Sequence, residues 1–215
     1  MKIRTHDELV DKLNEDSAWR KKELASIRLE VRSRNDRVVN RVAVVMSYAH
    51  WEGYVKFAVS AFIAYLNAQK YRYHEIIDNI ITLKIMNELR DIVSNRNVEG
   101  LNTMLMRIRG GERIHFNVKA VKRVVGILTH EELKKLHSLI GIEEDVYELK
   151  AKFIDFQLVD QRNKIAHGMY YPIETQQADS TIGIVIDMLD TEKEILIEHV
   201  ANKRYMLTAT SPSIE

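Results

Sequence analysis

The chain has 215 residues, of which 46% are hydrophobic and 29% charged, with 8 Gly, 2 Pro, no Cys and a formal net charge of +1. That is too apolar for a disordered chain and too poor in turn formers for a protein of many short strands, so an all-helical fold without significant sheet is expected. Without cysteine there are no disulfides and no thiolate metal sites, and any catalysis must use other groups.

Residues Met1 to Asp7 run into charged, helix-like sequence without the apolar stretch of an export signal, so a cytoplasmic location is expected. Leu9, Leu13, Ala18, Leu24, Ile27 and Val31 recur at mixed steps that include three and four residues, which predicts an amphipathic helix over 7–34. A second helix is predicted over about 36–69. Its apolar residues, among them Val42, Val45, Met46, Ala49, Trp51, Val55, Phe62 and Leu66, cover most of its circumference, as suits the central helix of a bundle. Arg41, Glu52, Lys56, Ser60 and Asn67 fall on one polar stripe, facing solvent or a functional groove. His50, Glu52 and Lys56 interrupt the apolar run, which falls short of a membrane span, so no membrane partner is expected.

Further helices are predicted over 74–94, 98–108 and 118–128, and another from the Thr129-His130-Glu131-Glu132 capping signal to just before Gly141. A long helix over 143–166 carries Val146, Leu149, Phe153, Phe156 and Val159 as its inward face, with Gly168 available as its cap. A last helix over about 175–204 completes an up-and-down bundle. Residues 1–207 read as one domain, with 71–115 a candidate insertion, and 208–215 as a polar, flexible tail.

Charge is unevenly spread. Arg20, Lys21, Lys22, Arg28, Arg32, Arg34, Arg37 and Arg41 face only Glu23, Glu30 and Asp36, and a second basic cluster comprises Arg107, Arg109, Arg113, Lys119, Lys122 and Arg123. The acids gather over 143–160 and 174–198. Such segregation can offer phosphates a positive surface despite the near-neutral sum, although charge alone is met more simply by solvated helix faces.

No phosphate loop, zinc motif or nucleophile turn is present, and no metal or other cofactor is expected. His6, His74, His115, His130, His137 and His199 lie in polar contexts and read as surface residues, whereas His50 reads as a core or interface histidine. Arg162 and His167 stand apart because they flank the end of a long amphipathic helix, with Asn163 and Lys164 between them and Gly168 beyond. On a regular helix, five residues separate two side chains by roughly 140° and ~7.5 Å, so the pair needs either unwinding near Ala166 or a second copy of the site. Spacing alone favours a structural role, with Arg162 paired to Asp155 or Asp160 and His167 stabilised by the helix C-terminus.

The segment Arg162-Asn163-Lys164-Ile165-Ala166-His167-Gly168 resembles the signature of the HEPN superfamily, in which an Arg is followed after four to six residues by His, and this reverses that preference. Ile154 to Val159, leading into the motif, extends the resemblance. So does Tyr48-Ala49-His50-Trp51-Glu52-Gly53-Tyr54-Val55-Lys56, which is similar to an aromatic-Glu segment of one bacterial branch. The resemblance covers roughly 38–205. It implies an all-α HEPN bundle acting as a metal-independent RNA endonuclease of the toxin or antiviral-defence kind, working as a homodimer. The substrate 2′-hydroxyl attacks the adjacent phosphate, and a protein antitoxin is a candidate partner. Arg162 and His167 would be the catalytic pair. Asn163 would orient His167 or bind phosphate, and Lys164 would add charge at the rim. Glu52 would orient the Arg unless it pairs internally with Lys56. Tyr170 is a further supporting residue, and it departs from the pattern. In toxins neutralised by nucleotidyl transfer a Tyr follows the motif His after one residue, and here it follows after two. The alternative reading is a HEPN module that binds nucleotide or RNA, or serves assembly, without cleaving.

Overall fold

The computed structural model describes residues 1–118 and 126–207, without the side chains at positions 87, 90 and 91. The expected helix over 118–128 and the expected tail from 208 lie outside the described residues, apart from positions 118 and 126–128, of which the last three are not helical. The helices are α1 (His6–Arg34), α2 (Arg37–Gln69), α3 (Asp78–Ser94), α4 (Val98–Arg109), α5 (His130–Leu139), α6 (Gln161–Ala166) and α7 (Thr175–Ala201). The fold is all-α. Among the described residues there is no strand, only two isolated bridges, Arg72 with Arg113 and Ile76 with Met206. No helix is long and apolar enough to cross a membrane, among the residues described.

The helix ends form where the sequence supplies caps. Thr5 Oγ1 accepts from the Glu8 amide at 3.1 Å, Asp36 Oδ1 from Val38 at 2.6 Å, and Thr129 Oγ1 from Glu132 at 3.2 Å. The three long helices α1, α2 and α7 pack against one another along their lengths, with α2 central. Ala43, Val44, Trp51, Tyr54, Val55, Ala58 and Phe62 of α2 share one buried core with Leu9, Leu13 and Leu24 of α1 and Ile182, Val185 and Leu189 of α7, while Tyr48 of α2 is buried towards α6.

Three cations of the basic run of α1 are paired across to α7 rather than left free. Lys21 Nζ lies 2.8 Å from Asp190 and Arg28 Nε 2.9 Å from Asp179, with Arg32 on the same carboxylate. These are α1-to-α7 pairs, formed with the acids that the sequence places in a distant segment. Hydrogen bonds from both guanidiniums hold the Asp179 carboxyl well below its ordinary range. Arg20 pairs with Asp16 and sends Nη1 to the His50 carbonyl, crossing α2 at Gly53, where a Cβ would stand 2.7 Å from Nη1.

Three expectations need correcting. The predicted helix over 74–94 begins only at Asp78, after a single 3-10 turn, Tyr73–Glu75. Its first residues bond instead to the segment that follows α7: the Ile77 amide donates to Tyr205 O and the Leu207 amide to Glu75 O. The predicted long helix over 143–166 is broken as well. Residues 143–147 are irregular, Glu148–Lys150 is a 3-10 turn, and Phe153–Asp160 is a π-helical segment running directly into α6. Its inward face is therefore Phe153, Ile154, Leu158 and Val159, a wider step than the α period. Leu149 is fully exposed and Phe156 is 64% exposed.

His137 and His199, read as surface residues, are buried. His137 Nε2 lies 3.1 Å from the buried Glu192 carboxylate, which also accepts from Tyr147 Oη at 3.1 Å. His50 is buried on the α1 side of α2, edge-on to Trp19.

Candidate functional site

The π-helical segment sets the direction in which the motif faces. A π-helical stretch carries an extra residue within the turn, so it rotates whatever follows relative to an unbroken α-helix. After it, α6 carries Arg162 onto the face of Tyr48 on α2, with the guanidinium carbon 4.7 Å from the ring centroid. This cation–π contact has a fixed platform. Tyr48 is buried, and its Oη accepts from the Leu128 amide at 3.1 Å. Burial, with Glu52 nearby, pushes the Tyr48 hydroxyl up to about 12, so the ring stays uncharged at neutral pH.

Arg162 takes neither carboxylate that a structural role would give it. Asp160 pairs with Lys164 at 2.7 Å, and Asp155 accepts from the His130 amide at 2.8 Å. Arg162 Nη1 instead donates to Asn163 Oδ1 at 2.7 Å. Asn163 thus engages Arg162 rather than His167. Lys164 is partly neutralised by Asp160, and its ammonium sits 5.0 Å over the Tyr171 ring. Glu52 pairs with Lys56 at 2.9 Å, the internal alternative for that residue.

His167 is the residue at which α6 ends. Its amide still donates to Asn163 O at 3.0 Å. The next two amides, Gly168 to Ile165 O at 3.1 Å and Met169 to Lys164 O at 3.0 Å, close a Schellman motif. Gly168 makes this possible by adopting φ +76. The stop leaves the imidazole exposed, while Arg162 is half-buried against α2. Nothing unwinds before Ala166, and no hydrogen bond joins Arg162 to His167 within the chain, so the structure does not bring the two together in one protomer.

The start of α2 brings two cations to the same place. Arg41 Nη2 donates to the Met169 carbonyl at 3.2 Å, and Arg37 Nη1 reaches Tyr170 Oη at 3.5 Å. Neither has a carboxylate partner among the described residues, and Arg41 Nε is buried without a partner. The sequence alone places Arg41 on a polar stripe with Glu52 and Tyr48 in the aromatic-Glu segment, and gives Arg37, Arg41 and Tyr48 no role beside Arg162. The available signal was their spacing: 37, 41, 48 and 52 share one face of a helix. Tyr170 is 77% exposed. No three His, Asp or Glu side chains converge as a metal site would require, among the residues described.

A family model described as RiboL-PSP-HEPN matches residues 15–198. The chain belongs to the RiboL-PSP-HEPN family. No curated protein and no solved structure matches it. The match covers α1 from Glu15 onward, the π-helical segment, the motif and nearly all of α7, so the RiboL-PSP-HEPN unit includes both the three-helix core and the candidate site. Membership places the chain in a superfamily of all-α domains with ribonuclease and nucleotide-binding types of function, in which ribonucleases are frequent.

Proposed function

We propose that this HEPN domain is a cytoplasmic, metal-independent RNA endonuclease of the toxin or defence type, with Arg162 and His167 as its catalytic residues. The observation that carries this reading is the contrast between the two side chains. Arg162 is oriented by Tyr48 and Asn163 and has no carboxylate partner among the described residues, while His167 stands exposed at a tightly fixed helix end.

In the proposed reaction His167 takes the proton of the RNA 2′-hydroxyl. The freed oxygen pair forms a bond to the adjacent phosphorus, and the bond from phosphorus to the 5′-oxygen breaks. The departing oxygen receives a proton from an imidazolium, which leaves a 2′,3′-cyclic phosphate and a 5′-hydroxyl. Arg162 holds the non-bridging oxygens as charge builds on them. Arg37 and Arg41 hold a flanking phosphate. The nucleophile belongs to the substrate, so no step is assigned to a metal.

The divergence of Arg162 and His167 within one chain supports a homodimer in which one protomer's Arg serves its partner's His. Val38, Val42, Met169 and Tyr170, all exposed apolar or aromatic residues around the site, support a second copy covering this face. A protein antitoxin is proposed as the regulator.

The test is incubation of RNA with the protein in excess chelator, alongside Arg162→Ala, His167→Ala and an equimolar co-refolded mixture of the two. The expected result is 2′,3′-cyclic phosphate ends from the wild type, silence from each variant alone, and partial recovery in the mixture. Products with 3′-hydroxyl ends, or activity that returns only with added metal, would overturn the mechanism. A monomer by light scattering would overturn the shared site.

A further inference from the structure

A cavity of about 1000 Å³ lies at the far end of α2 from the motif. Tyr48 and Asn67 are separated by roughly 28 Å of helix at 1.5 Å per residue. The floor of the cavity is apolar, with Ala64, Ala68 and Phe116. Its rim carries Lys2, Arg4, Lys70 and Lys84, and no carboxylate lines it among the described residues. Lys84 is paired with Glu88, but Lys2, Arg4 and Lys70 have no acidic partner among the described residues. On α1, by contrast, Arg20, Lys21, Arg28, Arg32 and Arg34 are each matched to a carboxylate.

The cavity is a built feature. Asn67 Nδ2 donates to Phe116 O at 3.0 Å, and the Phe116 amide donates back to Asn67 Oδ1 at 2.8 Å, a two-point clamp that fixes one wall to α2. On the opposite side Gln69 Nε2 donates to the Arg4 carbonyl at 2.8 Å, and Glu8 accepts from the Arg4 amide at 2.6 Å. The Arg4 guanidinium therefore springs from an anchored backbone. A guanidinium offers paired donors to phosphoryl oxygens, and an ammonium adds a point charge. A cavity of this size, apolar within and with a few convergent polar groups, has the dimensions of a small-molecule site.

We propose that this cavity binds a small phosphorylated molecule carrying at least two negative charges. Arg4, Lys70 and Lys2 hold the phosphoryl groups, and the body of the ligand rests on Ala64, Ala68 and Phe116. The site is independent of the nuclease reading and shares no residue with it.

Titration calorimetry with inorganic pyrophosphate, ADP, adenosine and a ten-nucleotide RNA tests this. The proteins are the wild type, Arg4→Gln/Lys70→Gln, Ala68→Phe and Arg162→Ala, each first shown to keep its melting midpoint. Pyrophosphate and ADP should bind and adenosine should not. The double variant should weaken both anions about tenfold or more, the loss expected for charge-assisted contacts. Ala68→Phe, which fills the floor without changing charge, should weaken ADP more than pyrophosphate, and Arg162→Ala should change neither. Absence of anion binding, equal binding of adenosine, or loss through Arg162→Ala rather than through the rim would each overturn the proposal. Binding of RNA through Arg4 and Lys70 without ADP binding would also overturn it, assigning the rim to a nucleic-acid strand.

Discussion

Replacing Tyr48 separates the support of Arg162 from the support of the fold. Tyr48→Phe keeps the ring under the guanidinium, 4.7 Å from its centroid in the native chain, but removes the oxygen that accepts from the buried Leu128 amide. Leaving that amide unpaired costs about 1–3 kcal/mol of stability. The rate of RNA cleavage should be unchanged, because Arg162 keeps its platform. Tyr48→Leu loses the same hydrogen bond and also the cation–π contact, worth ~1–2 kcal/mol when partly desolvated. If that energy holds Arg162 against the reacting phosphate, cleavage should fall roughly 5- to 30-fold relative to Tyr48→Phe, since each 1.4 kcal/mol is a factor of ten. The assay is cleavage of a fluorogenic RNA at a temperature well below both melting midpoints, with thermal unfolding followed in parallel. Equal rates for the two variants would refute the argument that the ring orients Arg162. A Tyr48→Phe protein that is folded but inactive would show that the hydroxyl acts in the site.

Two other perturbations test the frame around the site. Burial pulls the His137 imidazole down, but the charge and hydrogen bond of Glu192 outweigh it, and its titration is raised above 6.5, with Asp145 adding to the rise. A group raised on folding stabilises fully below its unfolded pKa, so this contribution should be complete below about pH 6.5 and lost as pH rises through the raised value. Urea midpoints measured across that range should show the decline in the wild type and lose most of it in Glu192→Gln, which should itself cost about 3–5 kcal/mol by leaving His137 without its charged partner. An identical pH profile in the two proteins would count against the pair. Gly168→Ala should cost ~1–2 kcal/mol in thermal unfolding, because φ is +76 and no neighbouring atom lies within 4 Å of the added Cβ, so the loss is conformational rather than steric. A stabilised Gly168→Ala protein, as at an ordinary helical glycine, would argue against the Schellman end.

The helices that could be read from sequence are those whose apolar period and caps agree. α1 and α2 run within a residue or two of their expected bounds because Thr5 and Asp36 supply start signals and the apolar residues recur at mixed steps that include three and four residues. The segment before the motif misleads because the α period does not hold there: Leu149 lies in a 3-10 turn and Phe156 in the π-helical stretch, and both are exposed. The late start of α3 depends on Tyr205 and Leu207, whose hydrogen bonds compete with the first helical turn and leave no local trace. The basic run of α1 suggested a phosphate surface because its neutralising partners, Asp179 and Asp190, are roughly 150 residues away in sequence, a separation that composition cannot see. Within the candidate site Arg162 and His167 were legible through a resemblance, whereas Tyr48, Arg37 and Arg41 required the packing of α2 against α6 and the loop after it. Buried His137 was hidden for the same reason: its partner Glu192 belongs to a stretch that reads as a solvated acidic face.

The π-helical segment behaves as a store of one surplus residue upstream of the motif. Removing a residue from Phe153–Asp160 can be absorbed by reverting to α geometry, so that the core residues before it and Arg162 after it keep their orientation. The same deletion inside Gln161–Ala166 has no such reserve and would swing His167 by roughly 100° about the axis and ~1.5 Å along it. Two adjoining stretches of one continuous helix thus differ sharply in their tolerance of length change. A deletion or insertion before Gln161 should therefore leave the placement of Arg162 intact, while one between Arg162 and His167 should re-aim the imidazole relative to the guanidinium.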